Sequence, residues 1–296
     1  MKRNAHFPLA ALVATTALLL GASSCNSEPG PKEPGSSKWI SRVVEYRPAP
    51  GQFINTAQGK PEAAQKIVGG RDGCLSLGGF GGYVVFEFDH EVRNIPGPDF
   101  VIFGNAFSGS SEPGIVEVSP DGKSWYRLRG SEDEADRAIR DYTIEYTRPA
   151  DLSAASPIAW HDSRNATGTI GPVAFHRQSY WPVFLADQPH TLTFSGICLP
   201  ANASWDDQAK KYVLTAFQWG YADNWSADYD TSVGNDPDTR GSNKFDLDQA
   251  VDAEGCPVTL TIVRQIKVYT AQNQTVGSGL GETSTEICGA LSLSAH

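Results

Sequence analysis

The apolar runs of this chain are short, rich in β-branched and aromatic residues, and interrupted by glycine, proline or aspartate. That pattern most limits what the chain can fold into. Residues 39–46, 83–89, 100–103, 115–118, 125–128, 142–147, 191–199, 213–219, 258–263 and 265–270 all read as strands. Between 118 and 125 the step Pro120-Asp121-Gly122 predicts a hairpin: proline presets φ, aspartate caps the turn and glycine takes positive φ. Only 132–140 and 61–66 carry a short helical pattern. Strands without alternating helices point to an all-β fold, an antiparallel β-sandwich of jelly-roll type with long loops. The composition agrees, since 29 Gly and 19 Pro in 296 residues favour many turns over long helices. The run Gly78-Gly-Phe-Gly-Gly82 leads into a strand and not a helix, so it is expected to turn or pack the backbone closely and not to cradle phosphate.

The first 24 residues read as an address. Lys2 and Arg3 precede an apolar run of fourteen residues, 7–20, and then small residues lead to Cys25. A cysteine directly after small residues resembles the lipobox of bacterial lipoproteins, in which that cysteine carries the lipid; Ala22 stands where the family usually has leucine. The alternative is an ordinary secretory signal. Residues 25–38 are rich in Pro, Gly and Ser and read as a flexible tether, and 39–296 as a single β-sandwich domain. Asn26 after the lipid site is compatible with sorting to the outer membrane, on the cell surface or facing the periplasm. Loss of the signal removes Lys2 and Arg3 but no acid, so the net charge of −10 becomes −12. An excess of acids excludes a basic nucleic-acid footprint. In an oxidising compartment the four remaining cysteines are expected to pair, with Cys74–Cys288 and Cys198–Cys256 favoured among three connectivities.

Three stretches carry chemistry. Between 223 and 252 eight aspartates crowd thirty residues. Oxygen ligands at that density suit Ca²⁺, with Asp223, Asn224 and Asp246 as the expected metal ligands; the alternative is a solvated acidic loop. Glu112, ahead of Pro113-Gly114, holds a carboxylate on a fixed turn. It either contacts a ligand or metal or secures the turn by accepting N–H bonds, and Asn105 has the same two options. The third stretch combines Trp160 with His176, Tyr180 and Trp181. Flat apolar faces beside polar groups fit sugar rings or planar cofactors, and otherwise such aromatics pin a long loop to the sandwich. Signatures of serine hydrolases, zinc proteases and nucleotide-binding loops are absent from the sequence.

Several stretches together resemble a family of bacterial cell-surface lipoproteins, some encoded beside corrinoid (cobalamin) uptake genes. The resemblance rests on residues 50–55, 76–83, 99–107 and 112–118, on the loop of Trp160 and His176, and on 220–224, 268–271 and 281–286. The hairpin around Asp121 is also similar to discoidin-like and carbohydrate-binding jelly rolls. The four further cysteines and the insert at 226–240 depart from the family pattern. The resemblance implies a surface-displayed β-sandwich that binds a ligand. The expected function is therefore a lipid-anchored, non-catalytic, calcium-stabilised protein that captures a glycan or corrinoid, with an outer-membrane transporter as a partner. The alternatives are a secreted polysaccharide hydrolase and a structural or adhesion protein of the cell surface.

Overall fold

The computed structural model describes residues 37–153, 156–229 and 239–294. Cys25, the expected lipidation site, and most of the expected tether lie outside the described residues, as do Asp230, Asp236 and Asp238 of the acidic loop. Strands β1 (Arg42–Arg47), β2 (Leu75–Ser76), β3 (Tyr83–Arg93), β4 (Phe100–Phe103), β5 (Gly114–Ser119) and β6 (Tyr126–Leu128) come first. They are followed by β7 (Ile139–Thr147), β8 (Ile158–Asp162), β9 (Thr167–Ile170), β10 (Thr191–Cys198), β11 (Ala203–Asp206) and β12 (Lys211–Leu214). The last are β13 (Ser242–Phe245), β14 (Ala250–Val251), β15 (Ile262–Thr270), β16 (Thr275–Val276), β17 (Gly281–Glu282), β18 (Glu286–Ile287) and β19 (Gly289–Ser292). Every ladder among the described residues is antiparallel, as the hairpin-rich sequence requires.

A six-stranded sheet runs in the order β1-β3-β15-β5-β6-β14, and a three-stranded sheet in the order β13-β4-β19. Period-2 alternation explains why they face each other. Val84, Phe86 and Phe88 of β3, Val116 and Val118 of β5, and Ile266 and Val268 of β15 point to one side. There they meet Phe100 and Ile102 of β4, Phe245 of β13 and Ala290 of β19 in one buried cluster. Each such side chain contributes about 1.5–3 kcal/mol by leaving water. The intervening Tyr83, Ile115 and Tyr269 face the other way and pack with Leu199, Phe217 and Tyr221. A four-stranded sheet, β10-β7-β8-β9, builds a further core around Tyr142, Ile144, Tyr146, Trp181 and Phe194. The molecule is thus an all-β antiparallel sandwich with few short helices, and the described residues form one compact unit.

Local signals explain the connections. Gly122 adopts φ 72° in the β5–β6 turn, and Asp121 Oδ1 accepts hydrogen bonds from the Lys123 and Ser124 N–H groups. In the glycine run, a Cβ on Gly82 would lie 1.9 Å from the Leu77 carbonyl oxygen, so close backbone approach is what that glycine permits. The expected helix over 132–140 is one turn, Ser131–Glu134, after which the chain enters β7. The stretch 61–66 forms a 3-10 helix, Pro61–Ile67. Residues 149–189, where no strand is expected from the sequence, contain the hairpin of β8 and β9. The strand expected over 213–219 ends at Leu214, and that over 258–263 begins only at Ile262, as part of β15.

Cys74 and Cys288 form a disulfide across 214 residues, joining the chain just before β2 to the residue between β18 and β19. The second expected bridge does not form. Cys198 is free and buried in the core of the four-stranded sheet, while Cys256 is free and exposed beside Asp252. The two thiols therefore sit in unlike environments, and burial pushes the Cys198 thiol up to about 11. No helix among the described residues is long and apolar enough to cross a membrane.

Candidate functional site

Three loops and one short strand carry the site. Asp223 follows Ala222, which exchanges backbone hydrogen bonds with Gly114 at 2.9 Å in both directions. That bridge fixes the loop after Trp219 against the start of β5 and brings the Asp223 carbonyl to the Glu112 N–H, at 3.0 Å. Asp223 holds φ at 53°, a strained value for a residue with a side chain, and its carboxylate turns inward. Its Oδ1 accepts the N–H groups of Asn105 and Ala106, each at 2.8 Å, and Oδ2 accepts that of Glu286 at 3.0 Å. Gly104 permits this wrap: a Cβ there would stand 2.4 Å from Asp223 Oδ1.

Glu112 and Glu286 complete the group. One carboxylate oxygen from each of Glu112, Asp223 and Glu286 lies within 4.8 Å of the others. Asp223 and Glu286 are buried, whereas Glu112 keeps partial exposure. Glu112 Oε1 accepts the Ser284 N–H at 3.2 Å, and its carbonyl accepts the Thr285 hydroxyl at 2.8 Å. Glu286 is positioned by pairing with Ser76 in the β18–β2 ladder. Its Oε1 is buried and has no hydrogen-bond donor, and one Glu286 carboxylate oxygen lies within 4.8 Å of one from Glu112. Burial pushes all three carboxyls above the usual range; the neighbouring carboxylates push Glu112 and Glu286 the same way, and three backbone N–H groups pull Asp223 back. Carboxyls this close together, two of them out of water, favour protonation or a bound cation, because a buried carboxylate with an unpaired charge is costly.

A cleft of about 330 Å³ opens over this group. Its lining includes Gln52, Phe53, Asn105, Phe107, His176 and Glu282. Glu282 is buried; its Oε1 accepts the Gln52 N–H at 2.5 Å while Oε2 has no donor. Burial pushes this carboxyl up to about 8 against the pull of that N–H. The His176 ring packs edge-on against Phe53 with centroids 4.7 Å apart. The donor set is oxygen-only at the three-carboxylate group, which suits a hard divalent cation completing its shell with water from the cleft.

The expected site residues divide sharply. Asn105, Glu112 and His176 share the cleft, and Asp223 lies beneath it. The Glu112 carboxyl accepts the backbone N–H of Ser284, far along the chain from its own turn. Tyr180 and Trp181 are fully buried core residues and present no face to a ligand. The Tyr180 hydroxyl accepts the Val173 N–H at 2.9 Å and donates to the His176 carbonyl at 3.2 Å, so the loop folds back over its own aromatics. Trp160 is half-buried against the same core and overlies Gly168 of the neighbouring strand.

The expected metal set of Asp223, Asn224 and Asp246 does not converge. The Asn224 amide is spent on the Phe217 backbone, accepting its N–H at 3.0 Å and donating to its carbonyl at 2.9 Å. Asp246 caps the 3-10 turn Leu247–Gln249 by accepting the Asp248 N–H at 2.9 Å. Sequence reasoning gave no role to Glu282 and Glu286. Their signal was two acids four apart around Thr283-Ser284-Thr285, hydroxyls that are themselves buried.

Comparison with protein-family models finds no match for this chain, and no curated protein matches it.

Proposed function

We propose that this protein is a lipid-anchored, non-catalytic binding protein displayed outside the cell, stabilised by Ca²⁺ at Glu112, Asp223 and Glu286, that captures a glycan or corrinoid in the cleft above them. The observation that carries the reading is the three-carboxylate group at the floor of an open cleft, with Glu286 Oε1 lacking any donor. A buried carboxylate trio without a cation opposes the fold. With a cation it becomes a rigid floor joining the loops of Asn105, Glu112 and Asp223 to β18. Lipid on Cys25 would hold the sandwich at the outer membrane through the 25–38 tether, beside a transporter.

Calorimetric titration of CaCl₂ into chelator-treated protein tests the site. One binding event is expected, with a melting temperature that EDTA lowers and Ca²⁺ restores, and both effects vanish in Glu286→Gln. Absence of heat together with an unchanged melting curve removes the cation. Radiolabelled palmitate should enter the wild type and not Cys25→Ala.

One observation favours a second reading, a polysaccharide hydrolase. Glu282 is a buried carboxyl raised to about 8 in an open cleft, the condition of a general acid. Reducing sugar released by the wild type and not by Glu282→Gln would establish hydrolysis.

A further inference from the structure

Strands β11 and β12 form a hairpin on which Trp205 stands directly opposite Tyr212. Residues opposite each other share a face, so the two rings meet, with centroids 5.1 Å apart and planes inclined by 73°. Neither is covered: Trp205 is 50 % exposed and Tyr212 39 %. Two further apolar side chains join them, Phe107 at 61 % exposure from the loop after β4 and Leu280 at 49 % from the single helical turn Gly277–Leu280. These are four of the seven large apolar side chains exposed among the described residues, and all four line one groove of about 640 Å³. A lone exposed apolar side chain is ordinary, whereas four converging on one concave surface mark a binding site. Gly277, at φ 59°, brings its backbone so near Tyr212 that a Cβ would lie 2.8 Å from the ring.

The groove runs into the carboxylate cleft, because Phe107, Ser110, Leu214 and Leu280 line both. Its polar lining consists of Ser108, Ser110, Ser278 and one charged group, Lys211.

We propose that this groove binds a neutral glycan, with sugar rings laid on Trp205, Tyr212 and Phe107 and hydroxyls turned toward the serines and the adjoining cleft. The inference rests on the binding-protein reading and supplies its ligand class. A sugar ring has an apolar C–H face and a rim of hydroxyls, which are the two surfaces that aromatic faces and hydroxyl side chains complement. The steep angle between Trp205 and Tyr212 offers successive short faces to a twisting chain of rings and no single plane to a rigid macrocycle. One lysine on a chain of net charge −10 gives little attraction for an anionic polymer or an anionic membrane.

The test is native electrophoresis of the mature chain through gels containing soluble β-glucan, xylan or mannan, with the Trp205→Ala/Tyr212→Ala variant run alongside. At least one polysaccharide should retard the wild type, and the double variant should lose about tenfold or more in apparent affinity while keeping its melting temperature. Retardation in none of the gels overturns the proposal, as does retardation that survives in the double variant. Cyanocobalamin that quenches tryptophan fluorescence in the wild type but not in the double variant would transfer the groove to a corrinoid and also overturn it. Calcium titration is read separately: if Ca²⁺ fails to bind while polysaccharide still retards the protein, the cation reading fails and the groove stands.

Discussion

The 171–189 segment and the β11–β12 hairpin carry similar aromatic residues and end in opposite states. The first lays Tyr180 and Trp181 into the core of the four-stranded sheet, fully buried. Asn55 donates to the Ser179 and Trp181 carbonyls, each at 2.7 Å, and clamps the backbone between the two rings. The second leaves Trp205 and Tyr212 half open on a two-stranded sheet of its own. What separates them is cover. A long loop has enough chain to fold back and bury its own rings, whereas a tight hairpin of two four-residue strands has none. An aromatic side chain in a long loop is therefore weaker evidence for a ligand than one on a short hairpin.

The largest expected effect tests burial. Trp181→Ala should cost about 3–5 kcal/mol in urea unfolding, since it empties a packed core site. A loss below about 1 kcal/mol would place Trp181 at the surface and dissolve the contrast.

The next effect concerns the carboxylate cleft beside the hairpin. The Glu282 carboxyl sits at about 8 in the folded chain against an ordinary 4.5. The fold therefore favours its protonated form, and that contribution is complete below about pH 4.5 and lost as pH rises through about 8. Without divalent cations, stability should decline across that window, less steeply in Glu282→Gln. Added Ca²⁺ should protect the wild type at the alkaline end. A flat profile in chelator would show that the Glu282 carboxyl is solvated and not buried in the manner of the 171–189 core.

Trp205→Ala should move stability by no more than about 0.5 kcal/mol, because its ring leaves little water behind on folding. A larger loss, read by the same urea titration, would make the hairpin part of the core. The smallest effect is chemical. Iodoacetamide should label exposed Cys256 in the native protein and reach Cys198 only after denaturation, because Cys198 shares the core of Trp181. Native labelling of Cys198, read by peptide mass, would show that core opening.

Much of the fold was legible in advance. Period-2 runs located β3, β4, β5, β7 and β10, and the turn chemistry of Pro120-Asp121-Gly122 placed a hairpin that the ladder of Glu117 with Arg127 confirms. The hairpin β8–β9 was missed because its strands are short and its partner face is a half-buried tryptophan over glycine. Of the site, Glu112 and Asp223 were named from local turns and loop density. Their actual partner, Glu286, stands 63 residues from Asp223. Local density favoured Asn224 and Asp246, yet each of those is consumed by its own neighbourhood, one by the Phe217 backbone and one as a cap.

The sequence by itself determined the class of fold and the turn before β6, because alternation and turn residues are local properties. Tertiary structure alone decided which carboxylates meet, which cysteines stay apart and which tryptophans see solvent. Those outcomes depend on how sheets stack and loops fold back. A one-dimensional pattern holds the acids and aromatics that take part, but not the distances between them.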